Sequence, residues 1–363
     1  MRSHLRAVFI LLLTVLLLGF FFRNANLGGV WAEVRSADGW LLVWATAVTL
    51  ATYAIRGLRW QVLLVPVGRV HYVPAVKATV IGFAASAILP ARAGEFLRPY
   101  LLARRERLSA TSAFATIVLE RVLDLVTVLL LLGVFLLLMD PARASLNPAA
   151  LAGVRAGGAA AALGAVGGLV MLGVLAGHPE WLFRGVERLE HVLPRAAGRL
   201  KPLVGRFAHG LVTIRQPRRL LIILALSVPI WLMIAAGVWF TALAFHMTVP
   251  YTGSFLIVAI LVVGVSVPTP GAIGGFHAAF QVAVTSFYGA SVDSAVGAAI
   301  VLHALSFLPI VLLGAVFMVH DGLTLGRVRA LADRSGLKDE AGAGAAGPDP
   351  VADAAIGETE GLR

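Results

Sequence analysis

A chain of 363 residues would ordinarily make two soluble domains. Here 59% of the residues are hydrophobic and only 13% charged, with a mean hydropathy of +0.89, whereas a soluble domain is about a quarter charged. Such a chain lacks the polar surface to stay in water, which makes it an integral membrane protein and excludes a soluble enzyme built around one cleft. The sequence contains no cysteine, so disulfide frameworks, thiolate nucleophiles, cysteine-ligated zinc and iron–sulfur clusters are excluded as well. The formal net charge of +11 hides an asymmetry. The tail 333–363 holds seven acids and three bases, leaving +15 on the body. Those bases lie between apolar segments, the pattern of the positive-inside rule rather than of nucleic-acid binding.

Taken in chain order, residues 7–22 are apolar without interruption behind Arg2, His4 and Arg6. Their aromatic end, and the lack of a small-x-small site before Arg23, predict a retained signal anchor rather than a cleaved signal peptide. A second span covers 40–64, with Arg56, Arg59 and Trp60 near its far end as an interfacial belt. Residues 73–90 are apolar and end in Ile88-Leu89-Pro90. Residues 111–138 are apolar but contain Glu120, Arg121 and Asp124, and 150–176 are rich in alanine and glycine. Segments 220–247, 252–290 and 295–319 complete the set. A spanning helix needs about 20 residues. The stretch 252–290 is long enough for two, and is broken at Pro268-Thr269-Pro270-Gly271.

Loop charge sets the orientation. The 177–219 loop carries nine bases against three acids, and the 91–107 loop five against two. These loops, the region 56–77 and both termini are therefore expected on the cytoplasmic side. Both flanks of 73–90 then lie inside, which predicts a re-entrant hairpin turning near Pro90. Both flanks of 252–290 lie outside, so that stretch spans twice or forms a second hairpin entered from the opposite face. Each half of the chain has a helix, a Pro/Gly-broken apolar segment and another helix, the inverted-repeat signature of secondary transporters. The expected fold is an all-α polytopic membrane protein of eight membrane segments, with two broken, re-entrant hairpins in an inverted repeat. The domain covers 1–325, its basic 177–219 loop lies on the anionic inner leaflet, and the acidic tail 333–363 is disordered.

Candidate binding residues cluster at the breaks. Arg92, Glu95 and Arg98 follow Pro90 at i, i+3, i+6, so Glu95 can meet either arginine, and a guanidinium suits phosphate or carboxylate. Arg98 by itself reads as an interfacial, snorkelling side chain. Glu120 and Asp124 share a helix face, with Arg121 able to pair with Asp124. Charge inside a membrane segment costs several kcal/mol on most scales and marks function by default. Pro270, Gly271 and Gly274 open the second break, and His277 follows the start of a half-helix whose free N–H groups attract anions. His246, His277 and His303 match no metal-ligand spacing, and neither a metal nor a cofactor is expected. The serines lack an acid–base partner and a nucleophile elbow, and the chain carries no Walker loop.

At these residues the chain resembles the lysylphosphatidylglycerol synthase transmembrane region, or flippase-like integral membrane proteins. Ser86-x-x-Leu89-Pro90-x-Arg92-x-Gly94-Glu95-x-x-Arg98 resembles the family's Asn-x-x-Leu-Pro-x-Arg-x-Gly-Glu-x-x-Arg, with serine in place of asparagine. Glu120-Arg121-x-x-Asp124 resembles its Glu-Arg-x-x-Asp. Pro268-x-Pro270-Gly271-Ala272-x-Gly274 resembles its Pro-x-Pro-Gly-Gly-x-Gly, with Ala272 for glycine and His277 where glutamate is common. The resemblance spans roughly 5–325 and implies a polytopic bacterial inner-membrane protein that moves a lipid, or a lipid-linked group, between leaflets without covalent chemistry. Its partners would be membrane lipids with an anionic headgroup, together with a lipid- or glycan-modifying enzyme. Multidomain relatives carry a soluble aminoacyl-transferase domain after this region, and no such activity is expected here. The alternatives are a membrane enzyme using Glu95, Glu120 or Asp124 as acid–base groups, and an accessory scaffold for a neighbouring synthase.

Overall fold

A computed structural model describes residues 2–89, 93–139, 148–190, 194–267 and 269–322. Arg92, Pro90, Pro268 and the acidic tail lie outside the described residues. Within them the protein is helical, with no strand. Its helices are α1 (Arg2–Phe22), α2 (Leu27–Ser36), α3 (Gly39–Leu64), α4 (Tyr72–Ile88), α5 (Gly94–Glu106), α6 (Ala110–Leu138) and α7 (Pro148–Gly177). They continue with α8 (Pro179–Glu190), α9 (Pro194–Gly210), α10 (Pro217–Ala244), α11 (Gly253–Ser266), α12 (Gly275–Tyr288) and α13 (Val292–His320).

Short polar residues start these helices. Asn26 accepts from the Gly28 N–H, Asp38 from Trp40 and Leu41, Ser109 from Ser112 and Ser291 from Ser294. Each satisfies a backbone donor that the first turn leaves open. Pro217 opens α10, where its missing N–H costs nothing.

Five helices, α3, α6, α7, α10 and α13, are long and apolar enough to cross a membrane. A sixth span results if α1 and α2, bent by 77° against each other, count as one. Eight segments were expected. α4, at 17 residues, and α11 and α12, at 14 each, are shorter than the span length. They belong to two helical hairpins, α4–α5 and α11–α12.

Helix ends gather at two opposite poles. At one, the Asp38 N–H donates to Ala244 O and the Asn26 N–H to Asp293. At the other, Lys77 and Arg105 meet Asp321, and Ser112 Oγ donates to Arg206 O. The second pole holds Arg69, Lys77, Arg104, Arg105, Arg107, Arg206, Arg215, Arg218 and Arg219.

The two hairpins are closed by the same device. The limbs of the first touch at Gly82 and Gly94, where a Cβ on Gly94 would overlap the Gly82 carbonyl. The limbs of the second touch at Gly264 and Gly275, where a Cβ on Gly275 would overlap the Gly264 carbonyl. Only glycine permits that backbone approach. The tips meet each other: a Cβ on Gly271 would lie 3.2 Å from Ala87 O. The second break runs through the left-handed region, with φ +58° at Gly271, +58° at Ala272 and +89° at Gly274. Ala272, standing where glycine would be unstrained, takes a conformation that costs a residue with a Cβ about 1–2 kcal/mol.

Candidate functional site

The sequence placed Arg56 and Arg59 in an interfacial belt. The structure overturns this. α3 runs on to Leu64, so both arginines lie inside the helix, and they turn inward: Arg59 is 0% and Arg56 7% exposed. Thr49, Thr52, Arg56 and Arg59 recur at i, i+3, i+7, i+10, a polar stripe on one helix face. That stripe is the sequence signal for the site on this helix.

Arg59 sits at the centre of a buried charge network. Its Nη1 donates to Asp124 Oδ1 at 2.6 Å and to Ser227 Oγ at 2.8 Å, and its Nη2 lies 3.1 Å from Glu120 Oε1. Arg98, read from sequence as a snorkelling side chain, is also buried. Its Nη1 donates to Glu120 Oε1 at 3.0 Å, and its guanidinium lies 4.0 Å from the centre of the Trp60 ring. The Trp60 indole is itself fixed by donating to Thr116 Oγ1. Arg121 Nη2 donates to the same Glu120 Oε1 at 2.8 Å and lies 3.5 Å from Asp124 Oδ2. Trp231 Nε1, from α10, donates to Asp124 Oδ1 at 3.0 Å.

Arg98 therefore pairs with Glu120 and not with the nearer-in-sequence Glu95. One oxygen, Glu120 Oε1, receives three guanidiniums, so Glu120 is an anchor for cations. Glu120 and Asp124, one turn apart on α6, face the network together. Arg121 is the network member most open to the interior, its side chain 36% exposed.

Arg56 differs from the rest. No carboxylate lies within ion-pair distance of it among the described residues, and its Nη1 is buried without a hydrogen-bond partner. Its guanidinium lies 5.0 Å from the Phe83 ring centre, and Arg121 lies 5.9 Å from the same ring. Two cations thus lie near one aromatic ring.

The network forms one wall of a cavity of about 700 Å³. Arg56, Glu95, Arg98, Arg121 and Asp124 line the charged side. Leu125, Val258, Leu261, Val262, Leu302 and Ile310 line an apolar side. The tips of both hairpins reach it, through Ser86 and Leu89 and through Thr269 and Gly271. Glu120 Oε2, Asp124 Oδ2, Arg98 Nη2 and Thr269 Oγ1 are buried without hydrogen-bond partners among the described residues. Unsatisfied buried groups are rare and point to bound water or ligand. Four guanidiniums face two carboxylates in the network, with Glu95 adding a third at the cavity wall. The wall therefore favours an anion.

Of the other expected residues, Gly271 lines the cavity, while Pro270 and Gly274 shape the break behind it. His277 was expected as a binding residue beside a half-helix opening whose free N–H groups attract an anion. In the structure its Nδ1 accepts the Gly274 N–H at 3.4 Å. His277 and His303, read as separate, lie with ring centres 4.6 Å apart.

Two comparisons bear on the chain. The family described as the lysylphosphatidylglycerol synthase TM region matches residues 7–314. Glycosyltransferase AglD of Haloferax volcanii is 31% identical over 127 residues, which cover 35% of this chain and 20% of that protein. The chain thus matches about a fifth of that relative's length.

Proposed function

Because the chain belongs to the lysylphosphatidylglycerol synthase TM-region family, we propose that it carries a lipid, or a lipid-linked group, between leaflets without covalent chemistry. Arg56 carries this reading: a buried guanidinium with no carboxylate within ion-pair distance among the described residues, facing a membrane cavity beside Arg121. Two forks of N–H donors around Phe83 can share the oxygens of one phosphate. The apolar side, Val258 to Ile310, suits the hydrocarbon that follows a headgroup, and the open lipid phase takes the rest. Moving a headgroup requires only that protein donors replace its water. One oxygen of each α6 carboxylate already serves the network, Glu120 Oε1 with three guanidiniums and Asp124 Oδ1 with Arg59 and Trp231, which weighs against a role in acid–base chemistry.

The likeness to a glycosyltransferase supports a second reading, in which this protein works beside an enzyme that modifies a lipid-linked sugar. In both readings we propose that the pole rich in arginine and lysine faces the cytoplasm of a bacterial inner membrane, with both termini on the cytoplasmic side. A cysteine introduced at Ser109 should label from the inside and one at Ser291 from the outside.

The test is translocation of fluorescent phosphatidylglycerol and phosphatidylethanolamine in liposomes holding the full chain. Faster movement of the anionic lipid than in protein-free liposomes, lost in Arg56→Gln, supports the reading. Rates equal to those of empty liposomes for both lipids overturn it.

A further inference from the structure

We propose that His277 and His303 form a proton-binding site whose occupancy sets the conformation of the second break. The tautomers follow from the backbone groups they meet. Gly271 O can only accept, so His303 Nε2, 2.8 Å away, carries a proton. The Gly274 N–H can only donate, so His277 Nδ1 is a bare lone pair. Both rings are neutral in this arrangement, and each holds one end of the same short loop, Gly271 to Gly274.

A proton added at His277 Nδ1 turns that acceptor into a donor facing the Gly274 N–H. The hydrogen bond is then lost. Gly274 sits at φ +89°, ψ −61°, a conformation that glycine reaches freely, so its surroundings and this hydrogen bond decide whether it is kept. Those surroundings are close: a Cβ on Gly274 would lie 2.8 Å from the Leu17 Cβ of α1, and Phe21 packs edge-on against His277 at 5.2 Å. Phe276 and Phe307 close the other sides, with ring centres 5.9 Å from His277 and 4.4 Å from His303 respectively. At a ring separation of 4.6 Å, one imidazolium disfavours a second. The pair thus holds one proton at most.

The groups facing the pair come from α1 (Leu17, Phe21), from α12 (Phe276), from α13 (Phe307) and from the break. Among the described residues none of these elements brings a carboxylate, lysine or arginine to either ring, and the titratable neighbour of His277 is His303. Gly271 and Thr269 line the cavity and Gly271 abuts Ala87 of the first hairpin, so a change in this loop reaches both hairpin tips. Coupling of the proton to lipid movement rests on the function proposed above; the proton site itself does not.

The chain has no cysteine, so Ile273→Cys places a single bimane on the break of the full protein in detergent. Its emission should shift through one transition on titration across about pH 3–8. In the His277→Asn background the side-chain oxygen still accepts the Gly274 N–H but takes no proton. That protein should lose the transition and keep the emission of the high-pH parent. A flat parent signal, or a transition that survives in both His277→Asn and His303→Gln, overturns the proposal. The lipid reading is not read out here. Failed lipid translocation leaves a titrating break intact, and a flat break leaves lipid translocation intact.

Discussion

Arg59 on α3 and Asp124 on α6 are joined by a 2.6 Å hydrogen bond between two side chains withdrawn from solvent. In a membrane interior such a pair is held by its partners, since each ion alone would be stranded without water. Arg59→Met should therefore lower stability by about 3–5 kcal/mol, the range for removing one member of a buried pair. Combining it with Asp124→Asn should cost less than the sum of the two single changes, because both charges leave together while an oxygen remains for Trp231. A double-mutant cycle on thermal unfolding in detergent measures the coupling. Strict additivity would show that the two side chains do not interact.

Arg56 and Arg98 line the same cavity and should respond differently to the same change. Arg98 holds Glu120 and lies on Trp60, so Arg98→Gln should destabilise the fold by about 1–3 kcal/mol, as the loss of a charged hydrogen-bond partner does. Arg56 has no ion-paired carboxylate among the described residues, so Arg56→Gln should leave thermal stability within about 1 kcal/mol and abolish binding of an anionic lipid. Arg56→Lys should restore binding only in part, because a point charge does not reproduce a guanidinium fork. Thermal unfolding and fluorescent phosphatidylglycerol binding on the same preparations separate the two behaviours.

The all-helical class and the two broken segments were legible because hydropathy, proline and glycine are local signals. The Glu120–Arg121–Asp124 cluster was legible because charge in an apolar run stands out. Arg56 and Arg59 were misread for a physical reason: an arginine near the end of a span looks the same whether it snorkels outward or turns inward. Only the packing of α3 on α10 and α6 decides which. The exchange of partners, Arg98 to Glu120 rather than to Glu95, was hidden for the same reason. It depends on how hairpin α4–α5 folds back, which places residues 22 positions apart in contact. The His277–His303 contact likewise needs α12 and α13 side by side.

The glycine contacts that close the two hairpins make a matched pair of expectations. Gly94→Ala pushes a methyl group into the Gly82 carbonyl and the Ser86 backbone, and Gly275→Ala pushes one into the Gly264 carbonyl. Backbone cannot step aside as a flexible side chain can, so each change should cost about 1–3 kcal/mol. Gly133→Ala, with open space around its site, is the control and should be neutral or slightly stabilising, since alanine is the better helix former. Thermal unfolding of the three variants is the measurement. A Gly275→Ala protein as stable as Gly133→Ala would remove the close limb contact in the second hairpin.

At the basic pole, Asp321 ties the first hairpin to the end of α13. Its carboxylate accepts from Lys77 Nζ at 2.7 Å and from Arg105 Nη1 at 3.2 Å, and His320 Nδ1 lies 3.0 Å away. Partial burial pushes the carboxyl upward, but the hydrogen bonds from Lys77 and His320 and the nearby positive charge outweigh it, and its pKa falls below the ordinary value of 3.8. The sign follows from linkage. A carboxyl whose pKa is lowered by folding stabilises the fold above its unfolded pKa, and that contribution disappears as pH falls through the folded value. The tie should therefore hold at neutral pH and weaken below about pH 4. The site is partly open to water, so its worth is discounted to about 0.5–1 kcal/mol. Asp321→Asn should lower stability by that amount at pH 7 and by clearly less at pH 3, while Lys77→Gln should follow the same pH course. The measurement is the melting temperature of each protein against the parent at the two pH values. A deficit for Asp321→Asn of equal size at both would mean that packing, and not the charge, joins the hairpin to α13.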